Sequence, residues 1–262
     1  MALLDVQGLG MMFGGLRANW DITFQVTAGE LVGLIGPNGA GKSTLFNCLA
    51  GLHTPTAGRI IFKGTDVTGF PPFRMARLGV ARTFQVYVAT GDLNVVEYIM
   101  VGGFLKTHLS YKARAKAEAL MKNMNLTELA RERVANLPVA AQKRVAMATA
   151  LATEPELLLL DEVAAGLNPA EIEHISDVIR WVHGDMKITV ILIEHVMEMV
   201  MKLSHRVLVL DSGRLIAEGE PAGIVRKPEV IKAYLGERYV TEHYAEAARV
   251  AQAALNRGEK EA

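Results

Sequence analysis

One cysteine, Cys48, stands in 262 residues, so no disulfide framework supports this fold. It falls in an apolar-periodic stretch, where a buried small side chain is the expected role, and a reducing cytosol fits that usage. Excess charge is missing as well: lysine plus arginine and aspartate plus glutamate number 28 each. No global field therefore draws the chain to nucleic acid or anionic lipid, and a nucleic-acid partner is not expected. No apolar run approaches the roughly eighteen residues that cross a bilayer. The N-terminus, MALLDVQGLG, lacks both a charged start and a sustained apolar core. The chain is expected neither to insert in a membrane nor to be exported. Internal repeats and low-complexity linkers are also absent.

Half of the residues are apolar, enough to bury a large core. The most informative string is GPNGAGKST, Gly36 to Thr44, which follows the apolar run Leu31 to Ile35 and leads into the periodic segment Leu45 to Leu49. It reads as strand, glycine loop, helix. Glycine is required at Gly36 and Gly41 because the backbone must come close to a phosphate chain with its amide hydrogens turned inward. Lys42 places a compact positive charge on the terminal phosphates, and Ser43 offers a hydroxyl to Mg²⁺. The helix that begins near Gly41 aims its positive dipole end at the anion. Gly36, Pro37, Asn38, Gly39, Ala40, Gly41, Lys42, Ser43 and Thr44 form the expected nucleotide-binding set.

Around this loop, residues 1 to 30 alternate short β-type runs with turns, and strands recur at Arg59 to Phe62 and near Gly79 to Thr83. From Asn94 the character changes to helical spacing rich in alanine and exposed charge, as in a helical insertion over about 94–150. Leu157 to Leu160, Ile188 to Ile193 and Val207 to Leu210 alternate with helical stretches such as Ala170 to His183, the pattern of a parallel α/β sheet. HRVLVLDSGRLIAEG reads as a hairpin turning at Asp211 to Gly213. Residues 1–240 are expected to form one domain. Residues 241–262 are expected to form a C-terminal helical extension, alanine-rich over Ala245 to Leu255.

LLLLDE, Leu157 to Glu162, is a buried-type strand that ends in two adjacent carboxylates. In P-loop enzymes a strand-end aspartate holds the water shell of Mg²⁺, which makes Asp161 the metal-side residue. Glu162 is placed to polarise the water that attacks the γ-phosphate.

With these motifs together, the chain resembles the nucleotide-binding subunits of ABC transporters over about residues 3 to 237. RTFQ, Arg82 to Gln85, matches that family's Q-loop, and IEH, Ile193 to His195, its switch histidine. MMFGGLRA, ARTFQ, AAGLNP, ILIEHVM and VIKAYLGE narrow the likeness to the ATP-binding subunit of branched-chain amino acid importers and related urea and short-amide systems. The resemblance implies ATP and Mg²⁺ as ligands and an α/β P-loop fold with an antiparallel β subdomain. It implies that Phe13 stacks on adenine, that Gln85 touches Mg²⁺ and senses the membrane partner, and that His195 holds the γ-phosphate and orients Glu162. Phe13 as an ordinary core aromatic is the competing expectation. His174 and His183 are expected on a helix surface, and Met197, Met199 and Met201 in packing.

One departure from the family stands out. Anchored on RVAMATAL, Arg144 to Leu151, the family's LSGGQ signature falls on Leu137, Pro138, Val139, Ala140 and Ala141, so its serine, both glycines and its glutamine are absent. Pro138 has neither hydroxyl nor N–H, and side chains at Val139 and Ala140 hinder the backbone approach that a phosphate on the opposite subunit needs. Proline is tolerated at a helix start, so the fold is expected to survive. Val163 in place of the usual proline after the DE pair is a milder change.

The expectation is one ATPase subunit of a heterodimeric importer, peripheral on the cytoplasmic face of the inner membrane. Its partners would be a second ABC ATPase subunit, transmembrane permeases and, indirectly, a solute-binding protein. A regulatory ATP-binding subunit with little hydrolysis, and a soluble non-transport ABC protein, are the alternatives.

Overall fold

The computed structural model describes residues 2–83 and 92–234. Three consecutive-looking apolar runs, LVGLI, LLLLD and TVILI, become β3 (Leu31–Ile35), β7 (Leu157–Asp161) and β8 (Thr189–Ile193), each buried at every position. Such strands belong inside a parallel sheet covered on both faces. They join β6 (Val80–Arg82), β9 (Arg206–Asp211) and β10 (Arg214–Gly219) in a six-stranded sheet ordered β10-β9-β3-β8-β7-β6. All its pairings are parallel except β9 with β10, the hairpin read from the sequence.

Period-two alternation decides which core each strand feeds. Leu158 and Leu160 pack with the helical side of the molecule, whereas Leu157 and Leu159 pack with the antiparallel sheet and the P-loop helix. That second sheet runs β2-β1-β4-β5, with β1 (Ala2–Phe13), β2 (Leu16–Thr27), β4 (Ala57–Phe62) and β5 (Thr65–Asp66). Residues 1 to 30 are therefore not short runs between turns. They form two twelve-residue strands, and the breaks in the alternation are register shifts within one continuous ladder.

The helices follow local signals. α1 (Lys42–Leu49) starts directly on the glycine loop. α2 (Pro72–Leu78) uses proline at its first turn and Gly79 at its end. The expected helical stretch contains α3 (Val95–Gly103), α4 (Ser110–Asn123) and α5 (Val139–Ala152). α3 opens with a capping box in which Asn94 and Glu97 exchange bonds at 3.0 and 3.1 Å. α6 (Pro169–Gly184) opens the same way with Asn168 and Glu171. α7 (Met197–Leu203) and α8 (Pro221–Ile224) close the fold, with residues 228–234 helical beyond them.

Met199 is buried in packing, as expected. His174 and His183 are half-buried rather than superficial. His183 packs against His205 with ring centroids 4.9 Å apart and the rings tilted by 60°, and His174 contacts Arg144 at 3.3 Å. Helical periodicity put both histidines off the apolar face but carried no information about what packs beside them. Gln85 and the 241–262 extension lie outside the described residues. Among the described residues, no helix is long and apolar enough to cross a membrane.

Candidate nucleotide site

The carboxyl ends of β3, β6, β7 and β8 share one edge, because the parallel register sets Ile35, Arg82, Asp161 and Ile193 at their tips. Ligands of open α/β sheets bind at that edge. The glycine loop leaves β3 there. A Cβ on Gly36 would come within 2.1 Å of the Leu210 carbonyl oxygen, and one on Gly41 within 2.4 Å of the Ala18 oxygen. Both glycines also have positive φ, 153° and 96°, so the requirement read from the motif is physical. Pro37, Asn38 and Gly39 stand at the surface with Ser43 and Thr44, while Ala40 is buried beneath them.

Lys42 Nζ donates to the carbonyls of Gly36 at 2.7 Å and Pro37 at 3.0 Å. Burial lowers its pKa, and the Glu162 and Asp161 carboxylates pull the other way. Two of three ammonium protons are thereby spent on holding the side chain over the loop, and the third can reach a phosphate. Cys48 is buried on α1, and burial pushes its thiol up to about 11, which makes it a packing residue and a poor nucleophile.

Across β8, Asp161 is almost fully buried and pairs with Arg82, Nη2 to Oδ2 at 2.6 Å. Arg82 Nη1 reaches Asn47 Oδ1 on α1 at 2.5 Å. The other carboxylate oxygen of Asp161, Oδ1, is buried without a hydrogen-bond partner. An orphaned buried carboxylate oxygen is costly, and a hydrated divalent cation is the group that would satisfy it.

Glu162 follows in the left-handed region, φ 49°, with its N–H bonded to Ile193 O at 2.9 Å. Its Oε1 lies 3.1 Å from His195 Nε2. Next to His195, the Glu194 carboxylate is buried, accepting from Ala164 N at 2.7 Å and His195 N at 3.3 Å. Burial raises its pKa, opposed by those two amide bonds and by Lys143, with Glu162 adding to the rise. Phe13 sits at the tip of the β1–β2 hairpin, 44 % exposed and edge-on to His53 at 5.3 Å. It is not a core residue, and its exposed ring is available for stacking.

Arg82, Asn47, Lys143 and Glu194 carry roles that the sequence reading did not assign. So does Tyr234, whose phenol pKa is raised by partial burial against the opposing influence of the Gly36 backbone. Arg82 and Glu194 were within reach, since each is a charged residue inside a quoted motif directly at a strand end. Lys143 and Tyr234 depend on long-range packing.

The degenerate signature forms a sound helix. Pro138 is the N-cap of α5, with φ −57° and ψ 151°, and Val139 stands 55 % exposed at its first turn. The helical architecture is kept, with proline at the N-cap and no serine or glycine in the first turn.

Residues 20–165 match the ABC transporter family, and residues 214–240 match the branched-chain amino acid ATP-binding cassette transporter family. The chain is 40 % identical to LivG of Escherichia coli K12, a high-affinity branched-chain amino acid transport ATP-binding protein, over 252 residues, 90 % of this chain and 98 % of LivG. It is 38 % identical to BraF of Pseudomonas aeruginosa over 250 residues, again covering 90 % and 98 %. A nucleotide-free ATP-binding cassette from an ABC transporter superposes with TM-score 0.82 at 26 % identity, covering 90 % of this chain and all of that one. A cassette in its ADP conformation gives 0.81 at 27 %, with the same coverage. The glycine loop after β3, the carboxylates at the end of β7 and the histidine after β8 thus meet at one sheet edge in a chain that belongs to the ABC transporter ATP-binding family of ATPases.

Proposed function

We propose that this subunit binds and hydrolyses ATP to drive a membrane importer for branched-chain amino acids or chemically similar small solutes. The observation that carries the hydrolytic part is the Glu162–His195 contact beside the buried Asp161. The kinship with LivG and BraF and the match over 214–240 support the cargo class.

In this reading the loop amides and Lys42 bind the phosphates, and Phe13 stacks on the adenine. Glu162 accepts a proton from the attacking water, and His195 fixes its orientation. The unpartnered Asp161 Oδ1 and the exposed Ser43 hydroxyl fit a hydrated Mg²⁺. Bound there with ATP, the ion would neutralise charge on the β- and γ-phosphates. Gln85 would join it and report to the permease.

Pro138 to Ala141 set the assembly. The site completed by this chain's signature hydrolyses poorly, whereas the site built on its own Lys42, Asp161, Glu162 and His195 is sound when a second cassette supplies an intact signature. A heterodimer on the cytoplasmic face of the membrane, clamped on two permeases and fed by a solute-binding protein, satisfies both conditions. A regulatory subunit that binds ATP without turnover is favoured only by Pro138 to Ala141.

The test is uptake of labelled leucine, valine, urea and short amides into vesicles holding the complete assembly. ATP-dependent leucine or valine uptake that disappears with Glu162→Gln is expected. Uptake that survives this substitution contradicts the role given to the site.

A further inference from the structure

The helix that lost the phosphate contacts keeps another connection, to this chain's own general base. Lys143 projects from the second turn of α5, and its Nζ donates to the carbonyls of Glu162 at 2.9 Å and Ala165 at 2.6 Å. These two carbonyls bracket the turn that follows β7. Inside the same turn, Glu194 Oε1 accepts the Ala164 N–H at 2.7 Å.

The turn needs such support. Glu162 has φ 49°, a conformation that costs a residue with a Cβ about 1 kcal/mol or more and persists only where its surroundings impose it. The Ile193 carbonyl holds the Glu162 amide at 2.9 Å, and Lys143 holds its carbonyl. With both ends of that peptide residue fixed, the side chain is directed at His195 Nε2, 3.1 Å away. Lys143 lies in a partly buried position, where burial lowers its pKa against the attraction of the Glu194 and Glu162 carboxylates.

We propose that Lys143 is a positioning residue for ATP hydrolysis at this chain's own site. In this subunit the signature helix acts in cis, holding Glu162, where its lost LSGGQ contacts would have acted in trans on the partner's nucleotide. A tilt of α5 relative to the sheet would be transmitted through one ammonium to the general base. The inference rests on the reading of Glu162 as that base.

The experiment compares Lys143→Met, Lys143→Gln, Lys143→Arg and Glu162→Gln in the complete complex, following steady-state ATPase and equilibrium ATP binding. Loss of placement predicts that Lys143→Met and Lys143→Gln lower kcat about tenfold to a hundredfold. KM and the ATP dissociation constant should stay within about twofold, since only a transition-state interaction is removed. Lys143→Arg, which retains a cationic donor, should recover most of the loss. Unchanged kcat in both neutral variants, or a loss that Lys143→Arg does not recover, overturns the proposal while Glu162→Gln still abolishes turnover. If Glu162→Gln itself leaves turnover intact, the hydrolytic reading fails and the proposal falls with it.

Discussion

His195 Nε2 and Glu162 Oε1 stand 3.1 Å apart although they follow different strands, β8 and β7. The parallel register that sets Asp161 opposite Ile193 brings the two strand ends level, so one residue of overrun on β7 and two on β8 meet. Glu162 is the more enclosed of the pair, 16 % exposed against 46 % for His195, as suits the base proposed above. Glu162→Gln keeps the shape and removes the proton acceptor. In the partnered complex it should lower turnover about a hundredfold or more with ATP binding retained. His195→Ala, which removes orientation but not the base, should cost less. Single-turnover hydrolysis and filter binding separate the two effects.

Lys42 is the cation closest to the expected phosphates and is already fixed by Gly36 and Pro37. Lys42→Met removes a charge-assisted contact worth roughly 1.5–3 kcal/mol. ATP affinity should fall about tenfold to a hundredfold, read by equilibrium dialysis, with the thermal transition modestly lowered because the Gly36 and Pro37 carbonyls lose their donor.

The proposed defect at 137–141 is local, so it should be repairable. Pro138→Ser, Val139→Gly and Ala140→Gly together restore the hydroxyl and the backbone access on a helix that already forms. The triple variant should give this chain ATPase activity as a homodimer where the parent has little. Glycine in the first turns costs up to about 1 kcal/mol per residue, so a lower melting temperature should accompany the gain.

His183 links stability to pH. Burial lowers its pKa; the Ile188 carbonyl opposes this, and His205 and Lys187 add to it. A histidine whose folded pKa lies below its unfolded value, near 6.5, takes up protons more readily when unfolded. Its contribution is therefore intact above that pH and is lost as pH falls through it toward the folded value. Urea midpoints should drop between pH 7.5 and 5.5, and His183→Gln should flatten that part of the slope.

The strands and helices were legible because each local pattern agrees with its environment. LLLLD alternates between two cores and still reads as a buried strand, HRVLVLDSGRLIAEG carries its own turn, and GPNGAGKST brings strand, loop and helix in one string. What stayed hidden depends on distant partners. Arg82 looked like part of a motif, but its function is an ion pair with a carboxylate on the neighbouring strand. Phe13 was open to either a core or an exposed role until the hairpin placed it at its tip. Lys143 reads as one more helix lysine, and only the packing of α5 against the turn after β7 gives it two carbonyls to hold. The capping boxes at Asn94 and Asn168 are written as N-x-x-E in the sequence, a short signal beside the stronger helical periodicity.

In the proposed heterodimer this chain supplies one sound hydrolytic site and one defective signature. Steady-state ATPase of the purified chain, alone and mixed with a cassette of the same family that carries an intact signature, tests it most directly. Turnover near background is expected for the chain alone, and in the mixture the turnover above that of the second cassette alone should vanish when Glu162→Gln is placed in this chain. Equal turnover with and without the second cassette would contradict it.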